Sequence, residues 1–254
     1  MSTPGPRFWE VFFEVFESLP RQGPGNRAST ERAWHLCRDL PAAPVVLDMG
    51  CGAGVQSLHL AGLSPGAVVA LDRHAPFVRR LAGEVARRRL TGRVTPVVGD
   101  MGAPPFPPES FDLVHSEGAL YFVGVEGGLR LWRDLLRPRG YVTFSEAVWR
   151  RPDPPEELRA TWAEEYPAMT TVDGNLAIIA RCGYEAVGRF TLPDAAWWDD
   201  FYTPMEERLR ALRPRYAGDE QALDALEAIG REIAQHRRYG DWYAYEFFAV
   251  RRTD

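Results

Sequence analysis

Residues 45–61 read VVLDMGCGAGVQSLHLA: an apolar run, an acid, glycines at 50, 52 and 54, and then a helical pattern. Val45–Leu47 show no polar alternation, as expected of a strand covered on both faces. The five residues Gly50, Cys51, Gly52, Ala53 and Gly54 are small enough to let a ligand lie against the backbone. Glycines there tolerate positive φ, and the helix that follows turns its first N–H groups toward a negative group. The stretch therefore reads as strand, tight turn and helix, built to hold a nucleotide-like molecule. A dinucleotide fingerprint requires G-x-G-x-x-G, and counting from Gly50 puts Val55 in the last glycine's place, which weakens a nicotinamide reading.

Working outward, Ala67–Leu71 predicts a second strand ending at Asp72, 24 residues after Asp48. A carboxylate at that place can accept both hydroxyls of a ribose. Residues 75–90 predict an arginine-rich helix and Val94–Val98 a third strand, followed by Gly99, Asp100 and Met101. Phe111–His115 predicts a fourth strand, running into Ser116, Glu117 and Gly118. A helix over 125–137, a turn marked by Pro138 and Gly140, and a fifth strand over Tyr141–Ala147 come next. Alternating strands and helices of these lengths predict a parallel sheet with helices on both faces and right-handed crossovers. Asp48, Asp72, Asp100, Glu117 and Glu146 all fall at predicted carboxyl ends, where such sheets bind ligands.

Before this core, residues 7–19 place Phe8, Val11, Phe12, Val15, Phe16 and Leu19 at helical spacing, predicting an amphipathic helix that packs on the core or closes over a substrate. The loop 21–30, RQGPGNRAST, ends in Ser29 and Thr30 as candidate N-caps for a helix running to about Leu40. Its place just before the first strand makes Gln22–Gly25 candidates to fold over the cofactor. After the core come an acidic helix (156–166), a helix near 173–182, a strand over 184–192, a mostly helical stretch over 193–238, and a closing strand over 242–251.

The form D-x-G-x-G-x-G, with Asp48 at the strand end, resembles motif I of the class I S-adenosylmethionine (SAM) dependent methyltransferases, and the order of the later motifs resembles that family over about residues 45–150. Within it the chain is similar to the small-molecule group typified by the ubiquinone and menaquinone C-methyltransferases. RQGPG, SEGALY and SEAVW resemble a bacterial subgroup whose acceptors are poorly defined. The resemblance implies a Rossmann-like α/β fold: a doubly wound seven-stranded sheet, mostly parallel with an antiparallel last strand. It also implies one methyltransferase domain over 1–254, divided into N-terminal helices and a cofactor-covering loop (1–44), a SAM-binding core (45–150) and a substrate-side half (151–254), in which 193–238 is a helical insertion over the acceptor pocket. SAM is the implied cofactor, S-adenosylhomocysteine its product, with no metal. The implied cofactor set is Gln22, Gly23, Gly25, Asp48, Gly50, Cys51, Gly52, Gly54, Gln56, Asp72, Arg73, Asp100, Met101 and Ser116. Asp48 would orient the methionine amino group and Asp100 would receive the adenine amino group.

Methyl transfer from a sulfonium is an in-line displacement, so the protein's main task is to align an acceptor in a site closed to water. Glu117, Glu146 and His115 are the candidates to bind or deprotonate it, a structural, hydrogen-bonded histidine being the favoured reading of His115. Tyr121, Trp149, Tyr166, Trp197, Trp198 and Tyr202 are the candidate substrate residues. They suit an amine held by cation–π and charge attraction as well as they suit an apolar aromatic acceptor or plain packing.

Composition excludes several alternatives. All 30 basic residues are arginine, which rules out a Walker lysine and Schiff-base chemistry. The formal charge of −5 argues against a nucleic-acid partner. The Asn/Asp-Pro-Pro-aromatic signature of base-amino methyltransferases is absent from 116–118. No apolar run is long enough for a membrane span, three widely separated cysteines suit a reducing compartment, and the N-terminus shows no secretory pattern, so a cytoplasmic location is expected. The expected function is methyl transfer to a small-molecule acceptor. The rivals are a SAM-binding protein without methyl transfer and a methyltransferase acting on protein or nucleic acid.

Overall fold

The computed structural model describes residues 5–254; the first four, which open the predicted 1–44 segment, lie outside them. Strand β1 (Val45–Met49), helix α3 (Val55–Leu63) and β2 (Ala67–Asp72) form the strand–turn–helix–strand unit centred on the opening stretch. Helix α4 (Ala75–Arg87) leads to β3 (Val94–Val98), then β4 (Phe111–Glu117), helix α5 (Val125–Arg133) and β5 (Leu136–Trp149). The sheet order is 3-2-1-4-5 over these strands, and every pair is parallel. This order reverses between β1 and β4, which opens a crevice at the carboxyl ends of those two strands.

Helix α6 (Glu156–Glu165), a two-residue β6 (Thr170–Thr171) paired with β5, helix α7 (Val172–Arg181) and β7 (Tyr184–Thr191) follow. A short α8 (Ala195–Trp197), a π turn over Trp198–Tyr202, α9 (Thr203–Leu212) and α10 (Glu220–Tyr239) then precede β8 (Tyr243–Arg252). β8 enters between β5 and β7, antiparallel to both, and completes a seven-strand path with β6 beside it. The fold is the expected Rossmann-like α/β sheet with an antiparallel last strand.

Leu129, Trp132 and Ile179 from α5 and α7 cover one face of the sheet, and Leu60, Leu81 and Val85 from α3 and α4 cover the other. A further core joins the N-terminal helix α1 (Pro6–Phe16) to α9 and α10 through Val11, Val15, Met205, Leu209, Ile229 and Ile233. The amphipathic helix therefore packs chiefly on the 193–238 helices, and together they form a cover near the strands' carboxyl ends. Each buried Val, Leu or Ile in that seam contributes on the order of 1.5–3 kcal/mol.

Several boundaries differ from those predicted. Helix α1 stops at Phe16 rather than Leu19, and α4 stops at Arg87. Helix α2 (Arg27–Leu36) is capped by Asn26, whose side chain accepts the Ser29 N–H at 2.9 Å, so Ser29 and Thr30 sit inside the first turn and not at the cap. The cap lies in the extended region, the conformation an N-cap requires. Asn26→Ala removes this acceptor and is expected to cost about 1 kcal/mol, lowering Tm by about 2–4 °C in a thermal scan. Helix α5 ends at Arg133, and the predicted turn at Pro138–Gly140 lies inside β5. There the pairing with β4 shifts between Phe111 and Leu113, and Arg139 adopts φ 61°. Proline and glycine fall in that irregularity, which a linear reading takes for a turn.

Candidate functional site

Three sets of side chains meet at the carboxyl ends of the strands. The first surrounds the glycine turn. The N–H groups of Gly50 and Cys51 donate to the Leu71 carbonyl at 2.9 and 3.0 Å, tying the turn to β2. Gly50, Gly52 and Gly54 all have positive φ. At Gly52 a Cβ would sit 2.6 Å from Gln22 Oε1, so a side chain there would push out the residue that covers the turn. Gln22 Oε1 accepts the Ala53 N–H at 2.7 Å, while its Nε2 donates to the carbonyls of Phe16 and Leu19. Gln56 Nε2 donates to the Cys51 carbonyl at 3.0 Å, which makes it a brace for the turn. Asp72 accepts the Gly52 N–H on one oxygen and the His74 N–H on the other, both at 2.8 Å. The second strand's acid and the glycine turn are thus held in one piece.

Asp48 lies fully buried at the end of β1. Its Oδ2 accepts the Ser57 hydroxyl, and its Oδ1 has no partner. Burial pushes its carboxyl up to about 6, against the opposing influence of His115 and Ser57. Ser116 is turned inward: its hydroxyl donates to the Met49 carbonyl at 3.0 Å, bridging β4 to β1, and none of its surface is exposed. Its hydroxyl is thus committed to β1. Asp100 is exposed and accepts the Gly102 N–H at 2.8 Å, and buried Met101 packs beside Gly50. Arg73 is exposed, and Gly23 accepts from Arg21 Nε through its carbonyl at 3.4 Å.

The second set is a buried polar network that sequence reading only partly found. Glu117 receives Arg21 Nη2 on Oε2, and on Oε1 the Thr30 hydroxyl at 2.6 Å and His115 Nε2 at 2.9 Å. A carboxylate can only accept, so His115 Nε2 carries the hydrogen. Its Nδ1 lies 2.7 Å from the Thr143 hydroxyl. Burial alone would raise the Glu117 carboxyl, yet the Arg21 guanidinium and the His115 bond hold it down to about 2. Both ring nitrogens of His115 are engaged, and Glu117, held ionised, is a weak base. Together they lock Arg21. Gly25 belongs to this lock: a Cβ there would lie 2.3 Å from Arg21 Nη2, and its N–H ties the loop to the Ala196 carbonyl at 2.9 Å. Arg21 Nη1 is buried without a partner.

The third set is an aromatic and acidic cluster beside the helical cover. Tyr121 is 36% exposed, and Glu232 is exposed as well. The half-buried ring of Tyr245 approaches Gly118, with a Cβ there only 3.1 Å from the ring, and it meets Trp197 edge-on at 4.8 Å. Tyr202 donates to Glu232 at 3.0 Å, and Tyr166 is edge-on to Tyr121 at 6.1 Å. Glu146, 1% exposed, accepts the Ala147 N–H on Oε1 and leaves Oε2 without a partner. Burial pushes its carboxyl up to about 8. Trp197 and Tyr202, candidate substrate residues, are buried, with Trp197 stacked on His236 at 4.2 Å. Trp149 and Trp198 are half-buried against the same core.

Arg21, Thr30, Glu232 and Tyr245 were absent from the sequence-derived set. The RQGPG motif was a signal for Arg21. Glu232 gave none, because one acid on an amphipathic helix looks like all the others.

Residues 46–140 match the family described as a methyltransferase domain. Among curated proteins, nocamycin O-methyltransferase of Saccharothrix syringae is 38% identical over 121 residues, 46% of this chain and 41% of that protein. The chain thus spans less than half the length of that relative. A crystal structure of a SAM-dependent methyltransferase from Geobacter sulfurreducens, in complex with S-adenosylhomocysteine, superposes with a TM-score of 0.81 at 21% identity, covering 95% of this chain and 97% of that one. The cyclase SpnF superposes with a TM-score of 0.72 at 16% identity, covering 97% and 92%. These superpositions establish the fold as the one found in SAM-dependent methyltransferases.

Proposed function

We propose that this chain is a SAM-dependent methyltransferase acting on a small-molecule acceptor. The observation that carries the reading is the set of unsatisfied, buried polar groups at the carboxyl ends of β1 and β4: Asp48 Oδ1 and Arg21 Nη1. A ligand ending in an ammonium and a carboxylate complements both. An uncompensated buried acceptor and donor each cost free energy that such a ligand would recover. Asp72 retains lone pairs for ribose hydroxyls, and the surface made by Met101, Gly50 and Ala119 suits an apolar ring.

When bound, SAM supplies an electrophilic methyl carbon on a sulfonium. The residues of this chain bind, orient and enclose. Gln22 and the 21–30 loop cover the glycine turn, the Glu117–Arg21 lock fixes the guanidinium, and the cover formed by α1, α9 and α10 excludes water. The small-molecule reading is supported by the cluster of Tyr121, Tyr166, Trp197 and Tyr245 beside that cover. The O-methyltransferase name of the Saccharothrix relative also points to a small acceptor. Because a [4+2]-cyclase shares the fold, the fold alone does not establish methyl transfer. Incubation with methyl-labelled SAM and a bacterial metabolite extract is expected to place label in a low-mass product. Label found only in protein or nucleic acid, or SAM bound with no label transferred, would contradict it.

A further inference from the structure

Residues 17–26 join α1 to α2 without helix or strand and are held firmly at two posts. At the first, Arg21 pairs with Glu117 inside the protein, and Arg80 donates to the carbonyls of Glu17 and Leu19 at 2.9 and 2.7 Å. At the second, Asn26 caps α2 and Thr30 donates to Glu117 at 2.6 Å. Between the posts, Gln22–Gly25 is fastened to the rest of the molecule by two neutral hydrogen bonds. Gln22 Oε1 accepts the Ala53 N–H at 2.7 Å, and the Gly25 N–H donates to the Ala196 carbonyl at 2.9 Å. The bonds from Gln22 Nε2 to Phe16 and Leu19, and from Arg21 Nε to Gly23, stay within the N-terminal segment itself.

These four residues cover one end of the cofactor site and leave the other open. A Cβ on Gly52 would stand 2.6 Å from Gln22 Oε1, and a Cβ on Gly25 2.3 Å from Arg21 Nη2, so Gln22 lies on the glycine turn and Gly25 on the guanidinium. Cys51–Gly54, Asp48 and Arg21 are all buried. Asp72 is only half-buried and Asp100 is exposed. A nucleoside can therefore lie along Asp72 and Asp100 in the structure as it stands. An amino-acid tail reaches the guanidinium of Arg21 only when Gln22–Gly25 moves aside. The same movement has to release Ala196, which directly precedes Trp197 in the core of the helical cover.

Resting on the methyltransferase reading, we propose that Gln22–Gly25 is a strap that lifts between its two posts to admit the donor and release its product, parting from the glycine turn and from the cover in one movement. Lifting breaks no ion pair, because Arg21 stays locked to Glu117. Weak ties between strong posts are what allow a short segment to open while the fold around it persists. Gly23 is the pivot. A Cβ there would meet nothing within 4 Å, so the closed strap makes no steric demand for glycine at that position. A ligand that enters only the open form associates at its intrinsic rate multiplied by the open fraction, so changes that favour or disfavour opening appear directly in the rates.

The test is surface plasmon resonance of S-adenosylhomocysteine on the wild-type chain and two variants. Gln22→Ala removes the acceptor of the Ala53 N–H and is expected to speed association and dissociation alike, each about fivefold. Gly23→Ala leaves the closed strap untouched and narrows the conformations of the open one, so both rates should fall about two- to fivefold. A residue that merely touched the ligand would change dissociation alone. Hydrogen exchange followed by NMR supplies the second readout: in the unliganded Gln22→Ala protein the Gly25 amide, which keeps its own acceptor, should exchange about fivefold faster than in the wild type. Unchanged association in Gln22→Ala, rates in Gly23→Ala that do not fall, or unchanged exchange at Gly25 would overturn the strap while the methyltransferase reading stands. Gly23→Ala and its rates keep the test valid should Gln22→Ala fail to fold. Failure of S-adenosylhomocysteine to bind the wild-type chain would remove the methyltransferase reading and the strap with it.

Discussion

Asp72→Ala is expected to bind S-adenosylhomocysteine at least about a hundredfold more weakly than the wild-type chain. The side chain has two tasks at the end of β2. It presents a carboxylate where ribose hydroxyls would lie, and it accepts the N–H groups of Gly52 and His74, holding the glycine turn and the start of α4. Hydrogen bonds to a charged group contribute roughly 1.5–3 kcal/mol each, so loss of two ribose contacts together with a looser turn amounts to about 3 kcal/mol or more. That corresponds to about two orders of magnitude in Kd. Asp72→Asn separates the tasks only partly, because its amide places a donor against one of the two backbone N–H groups. Calorimetry on both variants checks this, and a change of less than about threefold in either would exclude Asp72 from the ribose position.

Glu117→Ala is expected to destabilise the protein by about 3–5 kcal/mol, the usual effect of leaving one partner of a buried ion pair uncompensated. Arg21 would remain buried with Nη1 and Nη2 both unpaired. At the size of this chain that lowers Tm by about 6–20 °C. The same lock makes stability depend on pH. An unfolded glutamate titrates near 4.5, and the folded carboxyl is held at about 2 by Arg21 and His115 despite its burial. Its stabilisation is therefore complete above about pH 5 and is lost as pH falls toward 2, a span worth roughly 3 kcal/mol. Urea unfolding between pH 7 and 3 should show this decline in the wild type and a shallower one in Glu117→Gln. Parallel slopes in the two proteins would mean that the pair does not carry the acid sensitivity.

How far the sequence leads differs from one part of the molecule to another. The alternating strands and helices of the parallel sheet follow from Val45–Gly54 and the acids at strand ends, because they rest on local pattern and right-handed crossovers, whereas the antiparallel last strand was an implication of the family resemblance. Gln22 was legible for the same reason: a glycine and proline loop immediately before the first strand has little choice but to lie near the turn. The Pro138–Gly140 segment misled because its place inside β5 depends on a register shift against β4, a tertiary event. Roles proved harder than positions. Ser116, His115 and Glu117 sit at a strand end as expected, yet two of them face inward to other strands and the third is held by a guanidinium 96 residues away in the chain. Tyr245 and Glu232 join the aromatic cluster only because β8 inserts beside β5 and α10 packs against α1. No one-dimensional pattern marks that convergence.

The central claim is that the glycine turn of residues 50–54 holds SAM rather than a nicotinamide dinucleotide. The direct measurement is paired calorimetric titration of the wild-type chain with S-adenosylhomocysteine and with NADH under one buffer. The predicted result is saturable binding of one S-adenosylhomocysteine per chain and no heat of binding with NADH. Saturable binding of NADH with none of S-adenosylhomocysteine would contradict it.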